Sequence, residues 1–297
     1  MILPSNGKIT DELYAIGIPE FPAYLLMGEE PVLFDAGMTF MGPLYLEDLK
    51  KHLGDANRLR FNFLTHSHFD HCGATPYLKK KIGSLQLGAH RLAAATFKKP
   101  NVIELIRSLS VYYEKKHAGR IGLEDVVFAT LNVEIVLEDK MEINMGKGLE
   151  VRVIATPGHT RDSLSFYIPR YKALITGESV GVFDKNMTIH PEFSSSYRDY
   201  DASLEKLASL DLNILMMSHY FVLTGADARD YITKSIAKTI IFRKRIEDYL
   251  DTDNGDREAV VRRIFREDFE ATGAILQLDR PYLINLAAKV KAVAENK

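Results

Sequence analysis

Cysteine occurs once in the 297 residues, at Cys72, so neither an intramolecular disulfide framework nor a cysteine-built zinc knuckle is available. Any metal site in this chain rests on His, Asp and Glu. A run of 18 apolar residues is also missing, and the opening MILPSNGKITDELYAIG lacks the basic segment, apolar stretch and small-residue cleavage site of a secretory signal. The expectation is a cytoplasmic protein without membrane contact. Neither sign of charge dominates: 38 Lys and Arg stand against 40 Asp and Glu, a formal net charge of -2. No global field then draws in a polyphosphate chain, and nucleic acid is not expected as a partner. The chain has no repeat of 20–50 residues, no low-complexity tract, and no GxSxG or Ser-x-x-Lys motif for covalent catalysis.

What is present is a globular composition, 46% hydrophobic and 26% charged, which supports a substantial core. The stretch ELYAIGIPEFPAYLLMGEEPVLFDAG alternates apolar runs with Gly, Pro and Glu, the pattern of antiparallel strands joined by tight turns. PLYLEDLKKHLG places Leu44, Leu46, Leu49 and Leu53 on a helical face closed by Gly54. RFNFLT reads as a strand, GATPYLKKKIG as a helix, SLQLGA as a strand, and VIELIRSLSVYYEKKH as a helix ending at Gly119. Short β runs return from Asn132 to Thr176, followed by a helix at SLEKLASL and a strand at NILMMSH. Two halves of similar order, β then α, predict an α+β sandwich of sheets flanked by helices.

From Ala226 three amphipathic helices follow, separated by DTDNG and TGAILQL, with Pro281 in a first turn. Residues 1–224 are thus expected to form the catalytic domain and 225–297 a helical module. Its apolar stripes (Ile232, Ile236, Ile240; Val261, Ile264, Phe265; Leu283, Leu286, Val290) suit either a lid over the site or a homodimer interface.

The chemistry is concentrated in FNFLTHSHFDHCG, where a strand ends at Thr65 and His66, His68, Asp70 and His71 follow at once. In an extended loop His66 and His68 project to the same side and can share one ion. A curl after His68 turns Asp70 and His71 toward a second ion a few ångströms away. A histidine-rich surface loop is the bland alternative, but three of the nine histidines crowd into six positions beside a strand end.

HSHFDH resembles the His-x-His-x-Asp-His hallmark of the metallo-β-lactamase superfamily, and the resemblance extends over roughly the first 220 residues: Asp35 in LFDAG, His159 in TPGHT, Glu178 after TG, and His219 in MSHY. It implies a four-layer αβ/βα sandwich holding two divalent transition-metal ions, zinc or iron, with manganese also compatible. By that resemblance His66, His68 and His159 hold the first ion, Asp70, His71 and His219 the second, and Glu178 bridges. Asp70, His219 and Asp35 form the implied catalytic set. Asp70 shuttles a proton, and Asp35 fixes a ligand imidazole or, alternatively, caps the turn before Gly37. The family usually carries Asp where this chain has Glu178, and the extra methylene leaves a bridging, terminal or lost contact open.

The implied reaction is hydrolysis, a hydroxide shared by two ions attacking a thioester, lactone or ester. In layout the chain is similar to the quinolone-signal response protein and its relatives, thioesterase-like members with helices over the site, and more distantly to glyoxalase II. A small acyl substrate in a pocket partly closed by residues 226–297 follows. A phosphodiesterase, or a metal-bearing regulatory or binding protein with incidental turnover, are the alternatives. The oxygen-reducing di-iron branch is disfavoured, because it resembles His-x-Glu-x-Asp-His and this chain has His68 in the middle. Outside the signature, His52, His90 and His117 read as surface or packed imidazoles, while His190 in MTIHPEF is placed to approach the cleft. Cys72 reads as a small buried residue. Phe69, Tyr112, Tyr113, Phe183, Phe193 and Tyr220 are candidates for an apolar pocket wall.

Overall fold

Alternating apolar positions decide which layer each strand side chain joins, and the computed structural model, which describes residues 1–117 and 127–295, resolves them into two seven-stranded sheets beside a small two-stranded one. The first half of the chain runs β1 (Ile2–Pro4), β2 (Gly7–Lys8), β3 (Leu13–Ile18), β4 (Phe21–Leu26), β5 (Val32–Phe34), α1 (Gly42–Leu53), β6 (Phe61–Phe63), α2 (Phe69–Cys72), α3 (Thr75–Lys81), β7 (Gln86–His90), α4 (Arg91–Thr96), α5 (Pro100–His117) and β8 (Ile135–Leu137). The second runs β9 (Glu142–Asn144), β10 (Glu150–Ala155), β11 (Leu164–Ile168), β12 (Ala173–Ile175), β13 (Val182–Phe183), β14 (Ile189–His190), α6 (Tyr197–Ala208), β15 (Ile214–Met216), β16 (Phe221–Thr224), α7 (Ala226–Thr252), α8 (Arg257–Ile264) and α9 (Asp279–Ala294).

One seven-stranded sheet has the order β2-β3-β4-β5-β6-β7-β8, and the other β1-β16-β15-β12-β11-β10-β9. Strands β5 to β8 pair in parallel, as do β12 and β15, whereas the hairpin-linked pairs are antiparallel. Along β4 the two faces separate cleanly. Tyr24 and Leu26 enter the core between the sheets, where Phe34 and Phe166 meet at 4.9 Å. Ala23 and Leu25 enter the layer shared with α1, α3 and α5. Along β12, Ala173 and Ile175 face inward, while Leu174 joins a third core with α6, α7, α8 and α9. Three apolar layers separate four layers of secondary structure, which is the expected α+β sandwich with its C-terminal helices.

The helices after Gly225 bury their stripes in the core of the second sheet. Ile232, Ile264, Leu286 and Val290 lie in it with Leu174, Leu204 and Leu215, whereas Ile240 and Leu283 face solvent. On α1 the buried face is Tyr45, Leu49 and Leu53; Leu44 and Leu46 are only partly covered. DREAVVRRIFREDF does not continue as one helix, because α8 gives way at Phe265–Glu270 to a wider π-type turn, held by Arg245 on Glu267 and Asp268. Helix α4 and the β13–β14 hairpin carry too few residues for a periodic signal, and the sequence reading omits both. The expected end of α5 at Gly119 lies outside the described residues. Among those described, no helix is long and apolar enough to cross a membrane.

Candidate metal centre

Four loops at one end of the sandwich bring the candidate ligands together. After β6 the chain passes Thr65 and His66, and His68 stands at the N-cap of α2 with extended backbone (φ -70°, ψ 153°). The single turn of α2 then carries Asp70 and His71, so the second half of the signature is helical rather than a free loop. After β12, Gly177 has φ +52°, and a Cβ there would lie 2.9 Å from Thr65 Oγ1; glycine lets Glu178 approach the first loop. In TPGHT, Gly158 has φ +134° and a Cβ would lie 2.3 Å from Tyr200 Cα, so this turn packs on α6 and aims His159. His219 follows β15, where Phe221 N–H bonds its carbonyl at 2.7 Å.

Two groups of potential ligand atoms result: His66, His68 and His159, and Asp70, His71, Glu178 and His219. Glu178 reaches both. Its Oε1 lies 2.9 Å from His71 Nε2 and 3.0 Å from His219 Nε2. Its Oε2 lies 3.3 Å from His66 Nε2 and 3.6 Å from His159 Nε2. His159 Nε2 is 3.0 Å from His68 Nδ1, and Asp70 Oδ2 is 3.8 Å from His219 Nε2.

The far ring nitrogens are held by the protein, which fixes the tautomers. His159 Nδ1 donates to the Glu192 carbonyl at 2.6 Å, and His219 Nδ1 to the Glu20 carbonyl at 2.7 Å. His71 Nδ1 donates to Asp35 Oδ2 at 2.9 Å. The Thr65 hydroxyl gives its proton to Asp35 at 2.9 Å and so accepts from His66 Nδ1 at 3.0 Å. Asp35 therefore orients His71 directly and His66 through Thr65. It sits at φ +60° and does not border the cavity, so it is a positioning residue, and Thr65 N–H, which donates to it at 2.7 Å, anchors it.

Burial, followed by the neighbouring His71, holds the His66 imidazole well below its ordinary range, and burial brings His159 down to about 3. Both rings are neutral donors at pH 7. Burial also opposes charge on His71 and His219, but the Glu178 carboxylate, with Asp35 beside His71, outweighs it and raises both. Burial alone would raise Glu178; His71 and His66 and the bonds from His219 and His71 hold it well below the usual carboxylate range. A divalent ion fits this donor set. His66 Nε2 and Glu178 Oε2 are buried without a hydrogen-bond partner, and mixed imidazole and carboxylate ligands suit transition metals.

The cluster lies on the floor of a cavity of about 770 Å³. Phe69, Tyr113, Phe183 and Tyr220 border it as expected, with His190, whose Nε2 lies 3.0 Å from Asp184 Oδ2. Tyr112 and Phe193 do not. Tyr112 bonds Asp279 at the surface, and Phe193 is buried against Tyr197 and Tyr200. His52 packs on Tyr14 and His90 accepts from Leu92 N–H, while His117, expected as a surface or packed imidazole, stacks on Phe40 and also borders the cavity. Cys72 is buried, with its thiol pushed up by burial. The roof is residues 275–288, so of the C-terminal segment only the loop before α9 and the first turns of α9 reach the site. Thr65, Glu20, Glu192 and Tyr200 escaped the sequence reading. Two act through backbone carbonyls, for which side-chain identity gives no signal, and Tyr200 O–H donates to the Glu178 carbonyl at 3.2 Å from a helix distant in sequence.

The sequence pattern of the family described as "Metallo-beta-lactamase superfamily" matches residues 22–219, two thirds of the chain and every candidate ligand. The chain belongs to that superfamily. It is 24% identical over 234 residues to a "Probable metallo-hydrolase YflN" of Bacillus subtilis, covering 71% of this chain and 84% of that one. To a "Hydroxyacylglutathione hydrolase" of Brucella anthropi it is 29% identical over 122 residues, 41% of this chain and 34% of the other. Among solved structures, the superfamily member TTHA1429 from Thermus thermophilus superposes with a TM-score of 0.66 at 19% identity, over 100% of this chain and 93% of that one. The "class B3 di-zinc metallo-beta-lactamase" LRA-12 from an Alaskan soil metagenome gives 0.55 at 20% identity, over 78% and 90%.

Proposed function

We propose that this superfamily member is a dinuclear metal-dependent hydrolase of thioesters, lactones or esters, its ions held by His66, His68 and His159 and by Asp70, His71 and His219, with Glu178 between them. The observation that carries the reading is the Glu178 carboxylate, which turns one oxygen to each histidine group. Zinc or iron suits these donors, with manganese also compatible. Such ions supply an activated water and polarise the acyl carbonyl. Asp70 borders the cavity near His219 and is placed to carry the proton to the leaving group. Asp35 and the Glu20 and Glu192 carbonyls keep the imidazoles oriented. The thioesterase preference is supported by the partial likeness to the hydroxyacylglutathione hydrolase.

A phosphodiesterase is the weaker reading. The formal net charge of -2 supplies no basic track for a phosphodiester polyanion. The test is metal analysis of the purified protein with turnover on thioesters, lactones, esters and phosphodiesters, for wild type and the His66→Ala/His68→Ala variant. Metal and acyl hydrolysis should be lost together. A variant that keeps its full metal content, or a metal-loaded protein that cleaves only phosphodiesters, would overturn the proposal.

A further inference from the structure

The cavity is larger than a small acyl group requires, and α5 and residues 275–288 line it with mainly apolar side chains, Gln277 and Asn285 being the polar exceptions on the C-terminal segment. On α5, Val102, Leu105, Ile106, Leu109 and Tyr113 all border it, at the three- and four-residue steps of one helix face. From Val102 to Tyr113 that face extends about 16 Å at 1.5 Å per residue. Between these two residues α5 turns no charged side chain to the cavity. Opposite stand Ile275, Leu276, Leu278 and Ile284 of the C-terminal roof, tied to α5 where Leu278 N–H reaches Tyr113 Oη at 3.4 Å. An aromatic path joins the slot to the metal centre: His219 meets Phe21 at 6.1 Å, Phe21 meets Tyr113 at 5.8 Å, and Tyr113 meets Phe69 at 5.6 Å. At the rim, Leu105 and Ile284 are each 44% exposed, although both border the cavity.

Two half-exposed aliphatic side chains border one cavity, and a ligand chain that covers them gains affinity, because each buried methylene contributes to binding in proportion to the area it hides. We infer that the substrate's acyl group is a medium-length apolar chain, on the order of ten carbons by the span of the α5 face, lying between α5 and residues 275–284 with its carbonyl at the histidine cluster. This rests on the acyl-hydrolase reading for the chemistry, while the slot itself is independent of it. Short acyl groups would reach the metal centre but leave the slot unfilled.

The experiment has two arms on the metal-loaded, full-length protein. In the first, kcat/KM is measured on N-acetylcysteamine thioesters from acetyl to dodecanoyl, for wild type, Leu105→Glu and Ile284→Glu. Both positions line the proposed slot, so the readout is the ratio of kcat/KM on the long-chain and acetyl substrates within each variant. In wild type the rate should rise about two- to fourfold per methylene up to about ten carbons, and either Glu should flatten that rise. In the second arm, binding of the non-hydrolysable thioethers S-ethyl- and S-decyl-N-acetylcysteamine is measured by calorimetry. The decyl probe should bind wild type at least tenfold more tightly, and both variants should lose the difference. Equal turnover of all chain lengths with equal binding of the two probes would overturn the inference and leave the hydrolase reading standing. A decyl preference that both variants retain would also overturn it. No turnover at any length, with a decyl preference that the variants abolish, would leave the slot standing and remove thioesters from the hydrolase reading.

Discussion

Asp35 orients two histidines at once, although it never touches the cavity. Its carboxylate takes Nδ1–H of His71 and, through the Thr65 hydroxyl, fixes His66, one member of each ligand group. Asp35→Ala should therefore weaken both ions, by about 10- to 100-fold in affinity, measured by competition with a chromogenic chelator; wild-type affinity in the variant would remove Asp35 from this role. Glu178 is tested by length and by charge. Glu178→Asp should keep both ions with reduced turnover, whereas Glu178→Ala should lose chiefly the ion at His71 and His219. Metal content and rates indifferent to Glu178→Ala would place that carboxylate outside the ligand set. His71 and His219, raised by the Glu178 carboxylate, hold their protons to higher pH than an ordinary histidine, and a metal must displace those protons, whereas His66 and His159 are shifted down. Affinity should thus rise with pH above 6.5, the ordinary histidine value, with about one to two protons released per chain on loading. Calorimetry in buffers of different ionisation enthalpy reads that number, and zero release would refute the assignment of those protons.

Helix α9 is more than a cover. Lys289 meets Glu192 Oε1 at 2.7 Å with both side chains buried, and the Glu192 carbonyl holds His159. The same residue links the roof to a ligand. Lys289→Met leaves the Glu192 carboxylate buried without its cation, and should cost about 3–5 kcal/mol of stability, read by urea unfolding. Glu192→Gln/Lys289→Met, which removes both charges, should recover most of the loss. A single variant as stable as wild type would show that the pair is solvated. The linear pattern showed α9 as an amphipathic helix with Pro281 in its first turn, but not that a lysine on it enters the core. Burial of a Lys depends on a partner 97 residues away, and periodicity carries no information about that.

Over the whole molecule the helices after Gly225 complete the sandwich. Ile232, Ile246, Val260, Ile264, Leu286 and Val290 share a core with Leu174, Leu204 and Leu215. At about 1.5–3 kcal/mol per buried aliphatic side chain, their removal costs on the order of 10 kcal/mol, comparable with the total stability of a domain. Truncation after Gly225 should give an aggregating or dye-binding product; a soluble, folded truncate with unchanged kinetics would refute this. The likeness to TTHA1429 extends over the entire chain, so these helices lie within the shared architecture.

The sequence by itself determined the chemistry-bearing residues and the fold class. His66, His68, Asp70 and His71 are separated by a spacing that strand and turn geometry converts into convergence, and the apolar periods mark every long helix and most inner strands. Those signals are local, within a few residues of chain. Tertiary structure alone decided what depends on distant contacts: that Glu178 lies between two histidine groups, that backbone carbonyls of Glu20 and Glu192 set two tautomers, and that Phe193 packs in a helical core while His117 borders the cavity. It also decided that the apolar faces of α5 and of residues 275–284 oppose each other across one slot. Amphipathic pattern states that a face needs burial, but only the path of the chain through space determines what covers it.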